Sequence, residues 1–281
     1  ITEPGPFDEQ PLKEEIFTRS EEMVPMRTVA PADRRAERIP EELPYTGDTG
    51  IRLTDVAKGE ALLPDFIAQL SDEDLCAIVR GEGMCSPKVT PGTAGAFGGG
   101  TKHLEEMGVP VGCCSDGPSG IRMDSGAIAF AMPSGTALAS TFDTALMEEL
   151  YAFEGMELRR DRIETLLGPG MNLHRHPLNG RNFEYFSEDP LLTGKMASAQ
   201  LKGMARFACN NQEKNRNDIE ALVSARALRE IYLKGFEIAV KEGGARSIMT
   251  TYNPLNGERN ASSYDLLTTI LRKEWGFEGI V

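Results

Sequence analysis

The sequence is poor in the residues that build metal sites and disulfide frameworks. Among its 281 residues are only five cysteines and three histidines. The cysteines are odd in number and no two show the CxxC spacing of a zinc ligand pair. We therefore interpret them as free thiols in a reducing compartment, and we expect neither a bound metal nor a cofactor. They are Cys76, Cys85, Cys113, Cys114 and Cys209.

Basic residues are also scarce, because 30 lysines and arginines stand against 43 aspartates and glutamates. The formal net charge of -13 disfavours nucleic acid and anionic membranes as partners. No apolar run approaches the length of a membrane span, and the first ten residues, ITEPGPFDEQ, lack the pattern of a signal peptide. With a hydrophobic content of 40%, these absences predict a globular protein of the cytoplasm.

The first part of the chain lacks the apolar periodicity of a folded domain. It is rich in proline, glutamate and arginine, as in APADRRAERIPEELP. We interpret residues 1–45 as an extended connector or arm lying on another surface, and residues 46–281 as one domain. Because a globular enzyme rarely begins with such an arm, we expect the chain to have been cut from a longer one.

Beyond the arm, short apolar strands alternate with longer amphipathic helices, which predicts an α/β fold with parallel strands and right-handed crossovers. A glycine-rich stretch, residues 92–100, is expected to be a loop, and it lacks the residue order of a phosphate-binding motif. Helices are expected over residues 63–80, 141–161, 191–204, 218–242 and 263–275. Ser71 with Asp74 can cap a turn within the first of these, and Asp143 can cap the second. Tyr232 is placed on the apolar face of the helix over residues 218–242. Strands are expected over residues 109–114, 163–167, 207–209 and 246–250, and from residue 278.

Polar residues follow the predicted strands on one side only. Asp116 comes after the first strand, and a long polar loop, residues 167–190, begins where the next strand ends. Residues 210–216 and the pair Tyr252 and Asn253 follow two later strands. This one-sided placement is how a (β/α) barrel builds a site. The alternative for residues 167–190 is a surface loop whose arginines and glutamates merely pair with each other.

Five segments resemble the barrel domain of glycoside hydrolase family 3, in that family's order, across most of residues 50–281. The resemblance implies a (β/α)8 barrel, incomplete at its C-terminal end, from a retaining glycosidase that acts on terminal non-reducing β-D-glucosyl residues. The N-terminal stretches resemble bacterial β-glucosidases in which the barrel follows the other domains. The five segments are SDGPSGIR (115–122), GPGMNLHRHPLNGRNFEYFSEDP (168–190), ACNNQEKNR (208–216), SARALREIYLKGFEIAVKEGGARSIMTTYNPLNG (224–257) and LRKEWGFEGIV (271–281).

The resemblance also assigns substrate-binding residues by motif. The aspartate would accept hydrogen bonds from vicinal sugar hydroxyls, and the arginines would donate to hydroxyls. The tyrosine would line the sugar subsite with the methionine beneath it. These six residues are Asp116, Arg122, Arg175, Arg216, Met249 and Tyr252.

Other polar residues of the long loop are expected to be structural. Arg181, Asn182 and Glu184 should brace the loop, and His174 and His176, which share one face of an extended segment, should pack it. Further ligands for a metal at these histidines are not evident. His103 is expected to be exposed near the start of a helix.

Three departures from the family pattern bear on catalysis. Ala205 and Arg206 stand where a sugar-binding Lys-His pair is expected. The family's nucleophilic aspartate is expected shortly after Val281, and its acid/base belongs to another domain. We therefore expect no catalytic residue in this chain and no activity from the chain alone, with the remainder of the enzyme supplied as a second chain or as missing domains.

Two alternatives stay open. Within enzymes, the nearest competitor is a β-xylosidase or α-arabinofuranosidase activity. In a different class, the chain is a non-catalytic sugar-binding or assembly module that kept the scaffold, which the missing Lys-His pair favours.

Overall fold

The computed structural model describes residues 31–39, 41–84, 86–204 and 221–281. This part contains a three-stranded sheet, in the order β1 (Gly95–Gly98), β2 (Val111–Asp116) and β3 (Thr165–Leu167). β2 pairs antiparallel with β1 and parallel with β3. The parallel pair is joined through helices, as the α/β pattern predicts.

Helices surround the sheet. None in the described ranges has both the length and the apolar character needed to cross a bilayer. The α-helices are α1 (Pro31–Ala36), α2 (Leu53–Lys58), α3 (Leu63–Ile67), α4 (Asp72–Arg80), α5 (Lys102–Glu106), α6 (Gly135–Ala139), α7 (Thr144–Arg160), α8 (Pro190–Met204), α9 (Ala225–Ala227) and α10 (Lys234–Lys241). Two of the described segments are π-helical, Leu228–Tyr232 and Asp265–Glu274, and two are 3-10 helices, Asn182–Glu184 and Asn260–Ser262.

Two apolar clusters hold these elements together. The larger one packs α7, α8 and α10 near the sheet, with Met147, Leu166, Met196 and Phe236 among its buried members. Helix α7 approaches α8 closely at Gly203, where an added Cβ would lie 2.7 Å from the carbonyl oxygen of Glu148. The smaller cluster joins α3, α4 and α5.

The last pair of strands is a hairpin that also anchors the chain before α9. β4 (Pro254–Leu255) and β5 (Glu258–Arg259) flank Asn256 and Gly257, whose φ angles of 48° and 82° suit a type I′ turn. The Asn256 side chain accepts a hydrogen bond from the backbone N–H of Val223 and donates one to its carbonyl, both at 2.9 Å. The side chain of this turn residue thus holds the segment at Val223, at a sequence separation of 33.

Asn256→Ala is expected to lower the free energy of unfolding by about 1–3 kcal/mol, since two hydrogen bonds and a favourable left-handed residue are lost. Asn256→Gly removes the same side chain but tolerates the backbone conformation, so its loss should be smaller. Denaturant unfolding of both variants measures the difference. Equal stability of Asn256→Ala and the unchanged chain would contradict the anchoring role.

Two expectations near the N-terminal side need correction. Residues 92–100 are not wholly a loop, because they include β1. Its Phe97 pairs with Gly112 of β2, and a Cβ at Gly112 would lie 2.3 Å from that ring, so glycine permits the strands to pack. The helix expected over residues 63–80 is split into α3 and α4, because Ser71 adopts an extended conformation and caps α4. Its capping box with Asp74 confirms the cap predicted from the sequence.

Expectations on the C-terminal side also change. Of the helix expected over residues 218–242, the described part begins at Ala225, since Ser224 caps it and Leu222, which is 57% exposed, lies outside it. Residues 218–220 lie outside the described residues. Within the described part, residues 246–250 form a single parallel bridge, Ser247 to Ile280, and the expected strand over 207–209 lies outside that part. The α/β class is observed, and the (β/α)8 barrel, incomplete at its C-terminal end, stays a prediction.

The described portion of the predicted arm contacts the C-terminal helix. Pro31–Ala36 form α1, and Arg38 pairs with Asp265 at 2.9 Å while its guanidinium lies 4.5 Å from the centre of the Tyr264 ring. The division of the chain at residues 45 and 46 stays a prediction.

Candidate functional site

The carboxyl ends of β2 and β3 lie side by side, because Asp116 is in register with Leu167. The turn after β2 and the loop after β3 therefore leave the same edge of the sheet. They come into close contact, since a Cβ at Gly168 would lie 3.3 Å from the carbonyl oxygen of Gly117. This edge is where the sequence places its candidate sugar-binding residues.

The turn after β2 is closed by two hydrogen bonds. The backbone N–H of Arg122 donates to the carbonyl of Asp116 at 2.8 Å. The buried Ser115 hydroxyl donates to the carbonyl of Arg122 at 2.9 Å. The hydrogen bond from Arg122 to Asp124 raises the pKa of its guanidinium, and the charge of Asp116 adds to this shift. Asp116 and Arg122 thus belong to one fixed turn.

The long loop after β3 is braced from within. Arg181 forms an ion pair with Glu184 and stacks over the Tyr185 ring at 5.7 Å. His174 Nε2 lies 2.9 Å from the carbonyl oxygen of Asn182 and 3.2 Å from that of Tyr185, so this ring nitrogen carries the proton and donates. These contacts are the bracing and loop-packing roles expected from the sequence.

The remaining histidines also have local partners. His176 Nδ1 accepts a hydrogen bond from the backbone N–H of Leu178 at 3.1 Å. His103, whose side chain is 43% exposed, lies 2.9 Å from the carboxylate of the buried Asp74. Across the described ranges, no three histidine, cysteine, aspartate or glutamate side chains are grouped as metal ligands.

A cavity of about 850 Å³ opens beneath the long loop. Its volume lies in the range of small-molecule sites. It reaches from the loop after β3 to residues 248–251 and to the C-terminal helix, and its wall is mostly apolar with polar groups from the loop. Its lining includes Asn172, Arg175, Tyr232, Met249 and Trp275.

Two polar groups of this cavity are placed to meet a ligand. Arg175 is exposed, donates a hydrogen bond to the Tyr232 hydroxyl, and lies 5.1 Å from the centre of that ring. Asn172 is 1% exposed and donates to the Tyr185 hydroxyl at 3.3 Å. Its buried Oδ1 accepts no hydrogen bond from any described residue, so it is available to a ligand donor.

The six predicted residues fall into three groups. Arg175 and Met249 line the cavity together. Asp116 and Arg122 share the neighbouring turn but are not among the residues that line this cavity. Tyr252 is 55% exposed and follows the lining residue Thr251. Arg216 lies outside the described residues. Their roles toward a sugar therefore stay predictions.

Asn172 and Tyr232 line the cavity but were not among the six site residues predicted from the sequence. The sequence feature that could have identified Asn172 as a site residue is its position directly after Gly170 and Met171 in the loop motif. Tyr232 had been assigned to the apolar face of a helix, and only its pairing with Arg175 shows the use of its hydroxyl.

Comparison with curated proteins gives close relatives of much greater length. A β-glucosidase of Ruminococcus albus is 60% identical over 269 residues, which cover 92% of this chain and 28% of the relative. β-Glucosidase A of Butyrivibrio fibrisolvens is 43% identical over 264 residues, covering 90% of this chain and 30% of the relative. The chain thus spans less than a third of either enzyme.

Solved structures and a family description agree with these relatives. The β-glucosidase of Paenibacillus barengoltzii is 62% identical with a TM-score of 0.85, covering 92% of this chain and 29% of its own. β-Glucosidase 3B of Thermotoga neapolitana, solved in complex with glucose, is 39% identical with a TM-score of 0.70, covering 77% of this chain and 33% of its own. Residues 67–281 match the glycosyl hydrolase family 3 N terminal domain, and the chain therefore belongs to this family.

Proposed function

We propose that this chain supplies the sugar-binding part of a retaining β-glucosidase that hydrolyses terminal non-reducing β-D-glucosyl residues. The observation that carries the proposal is the placement of Asp116 at the end of β2, beside the loop that bears Arg175. The names of the relatives support a glucoside as substrate, and the glucose complex of the Thermotoga enzyme supports glucose as the bound ring.

The chemistry of this edge suits a pyranose ring. No described residue donates a hydrogen bond to the half-buried Asp116 carboxylate, and each of its two oxygens can accept from sugar hydroxyls. Such charge-assisted hydrogen bonds are short and strong. Arg122 in the turn after β2 and Arg175 in the long loop offer guanidinium donors that suit sugar hydroxyls.

The catalytic carboxyl groups are proposed to come from outside this chain. Retaining hydrolysis needs two carboxyl groups roughly 5–5.5 Å apart, one as nucleophile and one as acid/base. Nearby acids already have structural partners. Glu184 pairs with Arg181, Asp265 pairs with Arg38, and Asp189 accepts from two backbone N–H groups at the start of α8.

A non-catalytic sugar-binding module is the second candidate. The observation that favours it is the sequence before Asn210, where Ala205 and Arg206 replace the expected Lys-His pair. Within enzymes, a pentopyranoside is the competing substrate, since an exo-α-(1→6)-L-arabinopyranosidase of Bifidobacterium breve is 40% identical over 207 residues.

A domain-replacement chimera distinguishes the β-glucosidase from the non-catalytic sugar-binding module. In it, this chain replaces the matched segment of the Paenibacillus barengoltzii β-glucosidase. We expect the chimera to release nitrophenol from an aryl β-glucoside with retention at the anomeric carbon, because the remaining chain supplies the missing carboxyl groups. The chain of 281 residues alone should release none.

Two controls make the chimera decisive. The unmodified Paenibacillus enzyme sets the reference rate, and glucose-dependent thermal stabilisation reports whether the chimera binds sugar. A chimera that binds glucose without hydrolysis would favour the module. Clear turnover by the isolated chain would contradict the placement of the catalytic groups outside it.

Binding by the isolated chain can be followed directly. The sequence has a single tryptophan, and this residue, Trp275, lines the cavity. Its fluorescence should therefore change saturably on titration with glucose.

A further inference from the structure

We propose that Tyr232 is a positioning residue that holds the guanidinium of Arg175 in the orientation that binds sugar. The inference rests on the proposed function, because it concerns the same site. It adds a residue that acts on the substrate through Arg175.

Among the described residues, the restraint on Arg175 comes from one side chain. Arg175 lies on the exposed part of the long loop, and no carboxylate among the described residues forms an ion pair with it. Tyr232 engages it twice, accepting a hydrogen bond at its hydroxyl and offering its ring face 5.1 Å from the guanidinium carbon. Stacking and hydrogen bonding together fix both the plane and the direction of the guanidinium.

Tyr232 itself belongs to a hydrogen-bonded helical segment. It ends the π-helical segment Leu228–Tyr232, whose end is closed by a hydrogen bond from the Leu233 N–H to the Leu228 carbonyl at 2.8 Å. Phe236, on the adjoining helix α10, is buried in the large apolar cluster. A π-helical turn shifts the direction of the side chains that follow it, and such turns are frequent at functional sites.

Pre-orientation matters for an arginine on a loop. A free arginine side chain samples many rotamers, and a ligand that captures it must restrict them all. If Tyr232 has already restricted them, the sugar meets a donor that is in place. Loss of the tyrosine hydroxyl should then weaken sugar binding through its effect on Arg175.

The test is a double-mutant cycle on glucose binding by the whole chain, measured by calorimetric titration. Tyr232→Phe keeps the stack and removes the hydrogen bond, so we expect affinity to fall about three- to tenfold. Tyr232→Leu removes both and should lower it further. In the Arg175→Ala background, Tyr232→Phe should have no additional effect, which a general structural role would not produce.

A matched control is available elsewhere in the chain. Tyr264 also carries a stacked arginine, with the Arg38 guanidinium carbon 4.5 Å from its ring centre, and it does not line the cavity. Tyr264→Phe should bind glucose like the unchanged chain. Thermal unfolding of every variant verifies folding, and Tyr232→Phe keeps the test valid if Tyr232→Leu does not fold.

The possible outcomes separate the two proposals. If the unchanged chain binds glucose, Arg175→Ala weakens binding and both Tyr232 variants bind normally, the positioning role is wrong while the proposed function stands. If Tyr232→Phe weakens binding equally in the Arg175→Ala background, Tyr232 acts independently of Arg175 and the inference is overturned. If the unchanged chain binds no glucose, the proposed function fails and the inference fails with it.

Discussion

Asp116→Asn is expected to weaken glucose binding about 100-fold and to abolish detectable hydrolysis by the chimera. The amide has nearly the same shape as the carboxylate, but it replaces one accepting oxygen by a donor and removes the charge. Each charge-assisted hydrogen bond is roughly twice as strong as a neutral one, so two weakened bonds account for about 3 kcal/mol, or two decades in affinity.

The measurement is glucose titration for the chain and aryl β-glucoside hydrolysis for the chimera. The matched control is Asp65→Asn, an exposed aspartate in the first turn of α3. It removes the same charge far along the chain from the site and should leave both quantities unchanged. Normal glucose binding by a folded Asp116→Asn variant would contradict the role of Asp116 in sugar binding, and with it the proposed function.

Features set by neighbouring residues were predictable from the sequence. Asp143 was expected to cap the helix after residue 141, and its carboxylate accepts from the N–H groups of Ala145 and Leu146 at 2.9 and 3.0 Å. The capping box of Ser71 and Asp74 was foreseen for the same reason. A cap involves residues within one helical turn, so the pattern contains the whole interaction.

Features set by distant partners were not predictable in this way. The pair Asn256 and Gly257 is a strong hairpin signal, but its flanking strands are only two residues each and show no alternation. β1 resembles a glycine loop in sequence because its glycines allow close backbone contacts: an added Cβ would lie 2.7 Å from the carbonyl oxygen of Glu82 at Gly95 and 2.1 Å from that of Pro110 at Gly98. These close contacts can be recognised only when the neighbouring segments of the fold are known.

The candidate site shows the same division. The adjacency of Asp116 and the long loop was predicted, because the carboxyl ends of parallel strands share one edge. The contact of Arg175 with Tyr232 joins residues 57 positions apart, and no local sequence pattern predicts it. Motif resemblance named the arginine, while the structure supplied its partner.

A buried acid on α7 should make the stability of the chain depend on pH. Glu154 is 1% exposed, and neither of its carboxyl oxygens has a hydrogen-bond partner among the described residues. Burial raises its pKa from 4.5 to about 8, and the charge of Glu157 contributes to the rise. The neighbouring Glu157 carboxylate, by contrast with that of Glu154, accepts hydrogen bonds from the Phe130 N–H and from Arg160. Glu154 is therefore protonated in the folded chain at neutral pH.

The direction of the pH effect follows from proton binding. Between pH 4.5 and about 8 the folded chain holds a proton that the unfolded chain has released. Stability therefore falls as pH rises through this window, and the cost of the buried charge is fully present above it. A shift of this size corresponds to about 3–5 kcal/mol after allowance for relaxation around the carboxylate.

Glu154→Gln should remove most of this dependence, because the neutral amide has the shape of the protonated acid and no proton to lose. We expect the variant to match the unchanged chain at pH 5 and to exceed its unfolding free energy by about 3–5 kcal/mol at pH 9. Denaturant unfolding at the two pH values measures this. Glu149→Gln, an exposed acid on the same helix, controls for charge and for other titrating groups. An unchanged pH slope in Glu154→Gln would show that Glu154 ionises at its ordinary pKa, which requires a partner or water access at this position that its burial between α7 and the core does not provide.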